Sequence, residues 1–239
     1  MIDPAGWAFR WGAALRHRRF FHPDGVLARG FLERDAPADV GLPVPSATVV
    51  ARISKAIGTP GPLPDAVGLA LQIPVPQHGR GSWDVLLVTA GSGAIGRTLG
   101  IRPVLSWSGL QMTTLMPLRF RGRLWWLRAR MSTRDSGHGL ALSAIHKQLD
   151  GDQIRVELDQ ACGAGEFRPL AHVVLQAVAV AETDAAHNDV VFDPVLNTAP
   201  GVQLSPGWLA TLRASAYRGS REGRATTGLT GPVADPRGG

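Results

Sequence analysis

Short runs of apolar residues, many of them alternating with polar ones, recur between residue 25 and about residue 181 and are separated by glycine and proline. This two-residue period is typical of strands. Two segments instead have helical spacing. Residues 5–17 place Trp7, Trp11 and Leu15 on one stripe, and Ser205-Pro206 can cap a helix that continues to about residue 217. We predict strands at 25–33, 47–54, 67–73, 83–88, 112–120, 123–131, 138–147, 153–159 and 167–181.

Many strands followed by one clear helix favour a β-barrel or sandwich with helical appendages. Residues 225–239 are rich in Gly, Pro and Thr and carry little apolar surface, so we predict one domain over 1–224 and a disordered tail over 225–239. No apolar run approaches the roughly 20 residues that a membrane-spanning helix needs. The start of the chain also lacks the apolar core of a signal peptide. We therefore expect no membrane span and a cytoplasmic protein.

The single cysteine and the excess of arginine limit the chemistry. Cys162 alone excludes an intramolecular disulfide and a cysteine-based zinc site. The net charge is +6, and Lys55 and Lys147 are the only lysines. Arginine binds phosphate and carboxylate groups well, so the composition indicates an anionic partner. Because no helix-turn-helix, zinc module or RNA-binding aromatic signature is present, we expect no nucleic acid.

A glycine motif follows the strand predicted at 83–88. Gly91, Gly93 and Gly96 form a GxGxxG pattern, which in a βαβ unit binds the pyrophosphate of a dinucleotide. That fingerprint also needs an acidic residue about 20 positions later. No Asp or Glu lies between Asp84 and Asp135, and the flanking segments do not alternate strand and helix. An NAD(P) site, with arginine in place of the acid, is kept as a minor alternative.

Three separated segments together carry a stronger signal. The first runs from Arg19 through His22 to Gly30. The second holds Arg52 and Ser54 and continues into residues 64–70. The third contains Phe192-Asp193-Pro194, Pro200-Gly201-Val202 and Ser205-Pro206, and ends in an R-x-x-x-Y frame at 213–217. In order, spacing and residue type these segments resemble the heme catalase superfamily, and in particular its small catalase-related and allene oxide synthase-like members. The resemblance covers roughly residues 17–100 and 190–224.

The resemblance implies an α+β fold, namely a catalase-like antiparallel β-barrel with a few flanking helices, including a C-terminal helix on the proximal side of heme b. It assigns the distal histidine to His22 and the iron ligand to Tyr217. It places Ser54 beside the distal histidine and Arg52 beside a heme propionate. The further arginines that it places around the cofactor are Arg19, Arg213, Arg221 and Arg224.

The chemistry of these residue types agrees with those roles. A phenol is a poor ligand until it is ionised, and Arg213 lies one helical turn before Tyr217, where a guanidinium stabilises a phenolate. Arg52 and Ser54 are two residues apart on a predicted strand and therefore point to the same side. His22 can move a proton from one peroxide oxygen to the other, so that water leaves.

One position departs from the family pattern. The family has a distal asparagine shortly after its Trp-Asp pair, and at the equivalent position after Trp83-Asp84 this chain has Thr89. We therefore expect a peroxidase that reduces hydrogen peroxide or organic hydroperoxides with a small reducing co-substrate, rather than a vigorous catalase. The chain lacks the family's long interlocking segments, so we expect a monomer or homodimer. The alternatives are a fatty-acid hydroperoxide-rearranging enzyme and a non-catalytic heme-binding barrel.

Overall fold

The computed structural model describes residues 25–75, 81–90, 101–134, 138–178 and 190–205, which form ten strands and one helix. The strands are β1 (Gly25–Arg34), β2 (Ala47–Lys55), β3 (Val67–Val75), β4 (Gly81–Thr89), β5 (Leu110–Thr113), β6 (Leu118–Phe120), β7 (Arg123–Ser132), β8 (Ile154–Cys162), β9 (Arg168–Ala177) and β10 (Gln203–Leu204). The helix, α1, spans Leu142–Gly151 between β7 and β8.

Eight of these strands close into an antiparallel barrel. The ring runs β1-β2-β3-β4-β5-β7-β8-β9 and closes where β9 pairs with β1. The short strands β6 and β10 extend the sheet beside β7, and a two-residue turn joins β6 to β7. Arg121 and Gly122 in that turn both have positive φ, 48° and 74°, as the twist of a tight hairpin requires.

Alternation along each strand divides the barrel into a packed interior and an outer face. Inward-pointing residues such as Ile53, Leu71, Trp83 and Met112 are fully or almost fully buried in one large core. The loop after β1 contributes Leu42 and Val44 to this core, and α1 contributes Ile145 and Leu149. At ten residues, α1 is the longest helix in the described ranges and is far too short to cross a bilayer.

The strand predictions are largely confirmed, with two corrections. The strand predicted at 138–147 is wrong, because residues 142–151 form α1. Leu142, Ile145 and Leu149 have the three- and four-residue spacing of a helix that packs on the core. The strand predicted at 112–120 is interrupted between Thr113 and Leu118, where Pro117 has no N–H to donate to the ladder.

The barrel prediction is confirmed, but the described part of the chain is mostly β rather than α+β, with one short helix. The helices predicted at 5–17 and 205–217 lie outside the described residues, apart from Ser205 itself. The glycine motif at 91–96 and the tail at 225–239 also lie outside them.

Candidate functional site

Three of the predicted site residues are described by the structure, namely Arg52, Ser54 and Thr89. The remaining predicted site residues lie outside the described ranges, and their roles stay predictions: Arg19, His22, Arg213, Tyr217, Arg221 and Arg224. The described part of the candidate site consists of the barrel wall around these three residues and of residues 190–205 in the third segment.

Arg52 and Ser54 both lie on the outer face of β2, as their two-residue spacing predicts. Their neighbours Ala51 and Ile53 point into the barrel core. Register places Arg52 between Leu27 on β1 and Ala70 on β3, and it places Ser54 between Gly25 and Gly68. The prediction that the two side chains share one face is confirmed.

Arg52 is a partly buried cation without an acidic partner among the described residues. Its Nη2 donates to the carbonyl oxygen of Val190 at 3.1 Å, and its guanidinium lies 5.3 Å from the centre of the Phe192 ring. Its Nε is buried and has no hydrogen-bond partner in the described ranges. Burial lowers the pKa of the Arg52 guanidinium from its ordinary value. A desolvated cation of this kind favours an anionic ligand group beside it.

Glycine at position 25 leaves room for this arginine. A Cβ on Gly25 would lie 2.9 Å from Cγ of Arg52 and 3.1 Å from its Cδ. Any larger side chain would therefore push the aliphatic stem of Arg52 away from its present position.

Ser54 is completely buried, and its hydroxyl has no hydrogen-bond partner in the described parts of the chain. The residues on either side of it on the outer face, Gly25 and Gly68, have no side chains that could reach it. A buried hydroxyl left unpaired costs about 1–3 kcal/mol. Ser54 therefore carries an unmet hydrogen-bonding group on the outer side of β2.

Thr89 has a different environment, because its hydroxyl is already engaged. It donates to the carbonyl oxygen of Arg102 at 2.7 Å and accepts from the backbone N–H of Val67 at 3.1 Å. These bonds connect the end of β4 to Val67 at the start of β3 and to Arg102, which comes after β4 in the chain. Thr89 thus has a clear structural role, and its catalytic role stays a prediction.

The third segment packs against the same outer face. Phe192 is buried in a small apolar cluster with Leu27 and Ala70, the two cross-strand neighbours of Arg52. Pro200 and Gly201 then form a turn in which the N–H of Val202 donates to the carbonyl oxygen of Ala199 at 3.0 Å, with a positive φ at Gly201. The structure therefore brings the described parts of the second and third segments together.

Asp84 holds this segment in place. Its Oδ2 accepts from the backbone N–H of Asp193 and from Nδ2 of Asn197, both at 2.7 Å, and its Oδ1 accepts from Nε2 of Gln72 at 3.2 Å. Its own N–H donates to the carbonyl oxygen of Asn197. Sequence reasoning did not assign this role. The available signal was one carboxylate in the otherwise apolar run from Trp83 to Val88, since a buried charge requires partners.

The donor set agrees with the cofactor that the sequence implies. An unpaired guanidinium N–H and an unpaired hydroxyl lie on one buried face, where a carboxylate and a polar distal group would satisfy them. In the described ranges no three His, Cys, Asp or Glu side chains come together as a metal-ligand cluster. The predicted iron ligand, Tyr217, belongs to the part of the chain that the structure does not describe.

Comparison of the sequence with models of known protein families gives no match, and comparison with curated proteins gives none either.

Proposed function

We propose that this protein is a heme-dependent peroxidase that reduces hydrogen peroxide or organic hydroperoxides. The observation that carries the proposal is that Arg52 and Ser54 lie on one face of β2, where Arg52 is partly desolvated and, among the described residues, Arg52 has no carboxylate partner and the buried hydroxyl of Ser54 has no hydrogen-bond partner. Both occupy the positions at which the catalase-like motif has its propionate and distal-pocket residues.

In this proposal Arg52, together with Arg19 and Arg224, holds the propionates of heme b, and Arg221 is a further cofactor-binding residue. Tyr217 is the iron ligand, as tyrosine is in catalases, and Arg213 stabilises its phenolate form. When bound, heme supplies the redox chemistry. The barrel wall and the segment held by Asp84 partly shield Arg52 from water, which would strengthen its contact with a propionate.

His22 moves the proton of the reaction. It would take the proton from the terminal oxygen of the hydroperoxide and deliver it to the oxygen that leaves as an alcohol or water. Ser54 orients the imidazole, and Thr89 stands in the place of the family's asparagine. A small reducing co-substrate supplies two electrons, and with two protons the overall products are ROH and water.

The absorption spectrum of the purified, heme-reconstituted protein tests the proposal. A Soret band with the charge-transfer features of ferric heme ligated by phenolate is expected, and Tyr217→Phe should abolish that spectrum. Arg52→Gln should weaken heme binding about tenfold or more, by loss of one charge-assisted bond. The matched control Arg119→Gln removes an exposed arginine on β6 and should leave heme binding unchanged. A wild-type protein that binds no heme contradicts the proposal.

Turnover separates the proposed peroxidase from its alternatives. His22→Ala should retain heme and lose most peroxide reduction. Consumption of an organic hydroperoxide without a reducing co-substrate would instead identify a rearranging enzyme. Heme binding without turnover of any peroxide would identify a heme-binding barrel.

A further inference from the structure

Three exposed arginines surround the turn between β6 and β7. Arg119 precedes the turn, Arg121 is its first residue, and Arg123 begins β7. Within the described ranges none of the three forms an ion pair. The arginines that do form ion pairs there are Arg128, Arg130, Arg134 and Arg155. The proposed function gives the three arginines at the turn no role.

Arg121 has a backbone conformation that arginine rarely adopts. Its φ is 48°, and among the described residues it is the only one other than glycine with a positive φ. A two-residue turn with positive φ at both positions favours asparagine at the first and glycine at the second, which here is Gly122. Arginine at the first position costs free energy, because its Cβ crowds the backbone in the left-handed region. A strained residue that the turn does not need points to a role other than folding.

The three arginines do not line one groove. Arg119 pairs with Leu124 on one face of the hairpin. Arg123 pairs with Phe120 on the other face, and Arg121 lies between them at the turn. All three are within two residues of the turn, so their long side chains can extend past it. A broad anionic surface that meets the hairpin end-on would contact all three at once, whereas a narrow ligand on one face would not.

Two exposed aliphatic side chains lie beside these arginines. Leu124 is 37% exposed and follows Arg123 directly. Val40 is 47% exposed, and Nη1 of Arg121 reaches the same loop, at 3.4 Å from the carbonyl oxygen of Asp39. Asp39 is also an exposed carboxylate, but the arginines around the turn outnumber it. Arginines beside exposed aliphatic groups are typical of proteins that bind the interface of an anionic bilayer.

The aromatic rings at the turn are not open to nucleic-acid bases. The Arg121 guanidinium lies over the Phe120 ring at 5.1 Å, and that of Arg123 lies over the Trp125 ring at 5.6 Å. Phe120 is also buried. Proteins that bind single-stranded nucleic acid instead leave ring faces free, so that bases stack on them.

We infer that the β6–β7 turn docks on the surface of membranes that contain anionic phospholipids. The guanidinium groups bind the lipid phosphates, and Leu124 and Val40 enter the boundary between the headgroups and the acyl chains. The contact is peripheral and reversible. It requires no heme, so it does not depend on the proposed function.

Co-sedimentation with lipid vesicles tests the inference. The protein should bind vesicles of phosphatidylcholine with about 30% phosphatidylglycerol, but not phosphatidylcholine alone, and binding should weaken as salt rises. Arg121→Asn/Arg123→Gln should weaken binding about 25-fold, which is about fivefold for each arginine near the surface. No binding by the wild type would overturn the inference.

The matched control is Arg134→Gln/Arg155→Gln, which removes the same charge. Arg134 follows the far end of β7, and Arg155 pairs with Ser132 at that end. Since β7 rises about 3.4 Å per residue, these arginines are about 30 Å from the turn along the strand. The control should bind anionic vesicles nearly as well as wild type. An equal loss for the two double variants would mean that only net charge matters, which would overturn the inference.

Thermal unfolding of Arg121→Asn shows whether the arginine serves the fold. Asparagine suits the first position of this turn, so the unfolding temperature should stay the same or rise while vesicle binding falls about fivefold. A lower unfolding temperature would give Arg121 a structural role and would overturn the inference.

A last pair of variants separates a lipid surface from other polyanions. Leu124→Ser should weaken vesicle binding about two- to fivefold, because less apolar surface enters the bilayer. Leu105→Ser is the control, since Leu105 is 64% exposed and lies outside the hairpin, and it should bind as wild type does. Binding of polyglutamate or single-stranded DNA as tight as that of vesicles, and equal for Leu124→Ser and wild type, would identify a general polyanion surface and overturn the inference.

Discussion

Arg34, at the end of β1, holds the following loop in place through hydrogen bonds from its side chain. All five N–H groups of its guanidinium donate to backbone carbonyl oxygens of the following loop, at distances between 2.7 and 2.9 Å. The acceptors belong to Ala36, Pro37, Val40, Leu42 and Val44. This loop contributes Leu42 and Val44 to the barrel core, so the arginine fixes part of the core through the backbone.

We predict that Arg34→Lys destabilises the protein by about 1–3 kcal/mol, although the charge is kept. Lysine has three donors on one atom and cannot reach five carbonyl oxygens, so buried acceptors lose partners. Urea unfolding followed by circular dichroism should show a lower midpoint with an unchanged m value. The control is Arg119→Lys on the exposed side of β6. Equal midpoints for the two variants would contradict the role given to Arg34.

The residue-level predictions succeeded where they depended on local geometry alone. Alternation along a strand put Arg52 and Ser54 on one face, and the structure confirms it. The sequence could not indicate that Arg52 lacks a carboxylate partner among the described residues. Nor could it indicate that the hydroxyl of Thr89 is engaged while that of Thr113 has no partner in the same ranges. Those facts depend on which distant residues approach each side chain in space. Hydrogen-bond satisfaction is a property of the folded chain.

At the scale of the element, Asp84 couples the 190–197 segment to β4. We predict that Asp84→Ala lowers the hydrogen-exchange protection of the Asp193 amide at least about tenfold, because each bond to a buried carboxylate contributes about 1.5–3 kcal/mol. Exchange measured by NMR should show a much smaller change for Leu71 in the centre of β3.

Asp152→Ala is the control for this experiment, since Asp152 pairs with the exposed Arg134 outside the segment. It should leave the Asp193 amide protected. If Asp84→Ala changed protection uniformly over the barrel, Asp84 would be a general stability residue and not an anchor for this segment.

Element types were easiest to predict where one period dominated the pattern. The strands from β1 to β4 and from β7 to β9 alternate clearly and were recovered to within a few residues. The helix α1 was predicted as a strand because Leu140, Leu142 and Ala144 alternate with small or polar residues, which masks the helical spacing of Leu142, Ile145 and Leu149. Core packing decided the outcome, since a strand would point Leu142 away from the face of Ile145 and Leu149, whereas the helix places all three against the core.

At the scale of the whole molecule, the sequence predicted a barrel or a sandwich but not which strands would meet. β1 pairs with β9, and β7 pairs with β8 across the intervening α1. Strand pairing between distant segments has no local signal, because one alternating pattern suits many partners. Because the barrel is closed, each of the eight ring strands pairs with a neighbouring strand on both of its edges. We therefore expect the barrel to unfold as one unit.

The β7–β8 pairing offers a test of that cooperativity. Asp159, which is almost completely buried, accepts hydrogen bonds from Arg128 and Arg130 on the neighbouring strand, at 2.8 to 3.1 Å. Asp159→Asn removes the negative charge and leaves some of these donors without an acceptor, so we predict a loss of about 2 kcal/mol. Tryptophan fluorescence and far-UV circular dichroism should report the same lowered unfolding midpoint.

The control is Glu157→Gln, two residues away on the same face of β8, where the carboxylate pairs with an exposed Arg155. Exposed ion pairs contribute little, so its unfolding midpoint should match that of wild type. A smaller effect of Asp159→Asn than of Glu157→Gln would contradict the importance of the buried carboxylate. Separate midpoints for fluorescence and circular dichroism would contradict unfolding of the barrel as one unit. A strand pair that opened first would change one signal before the other.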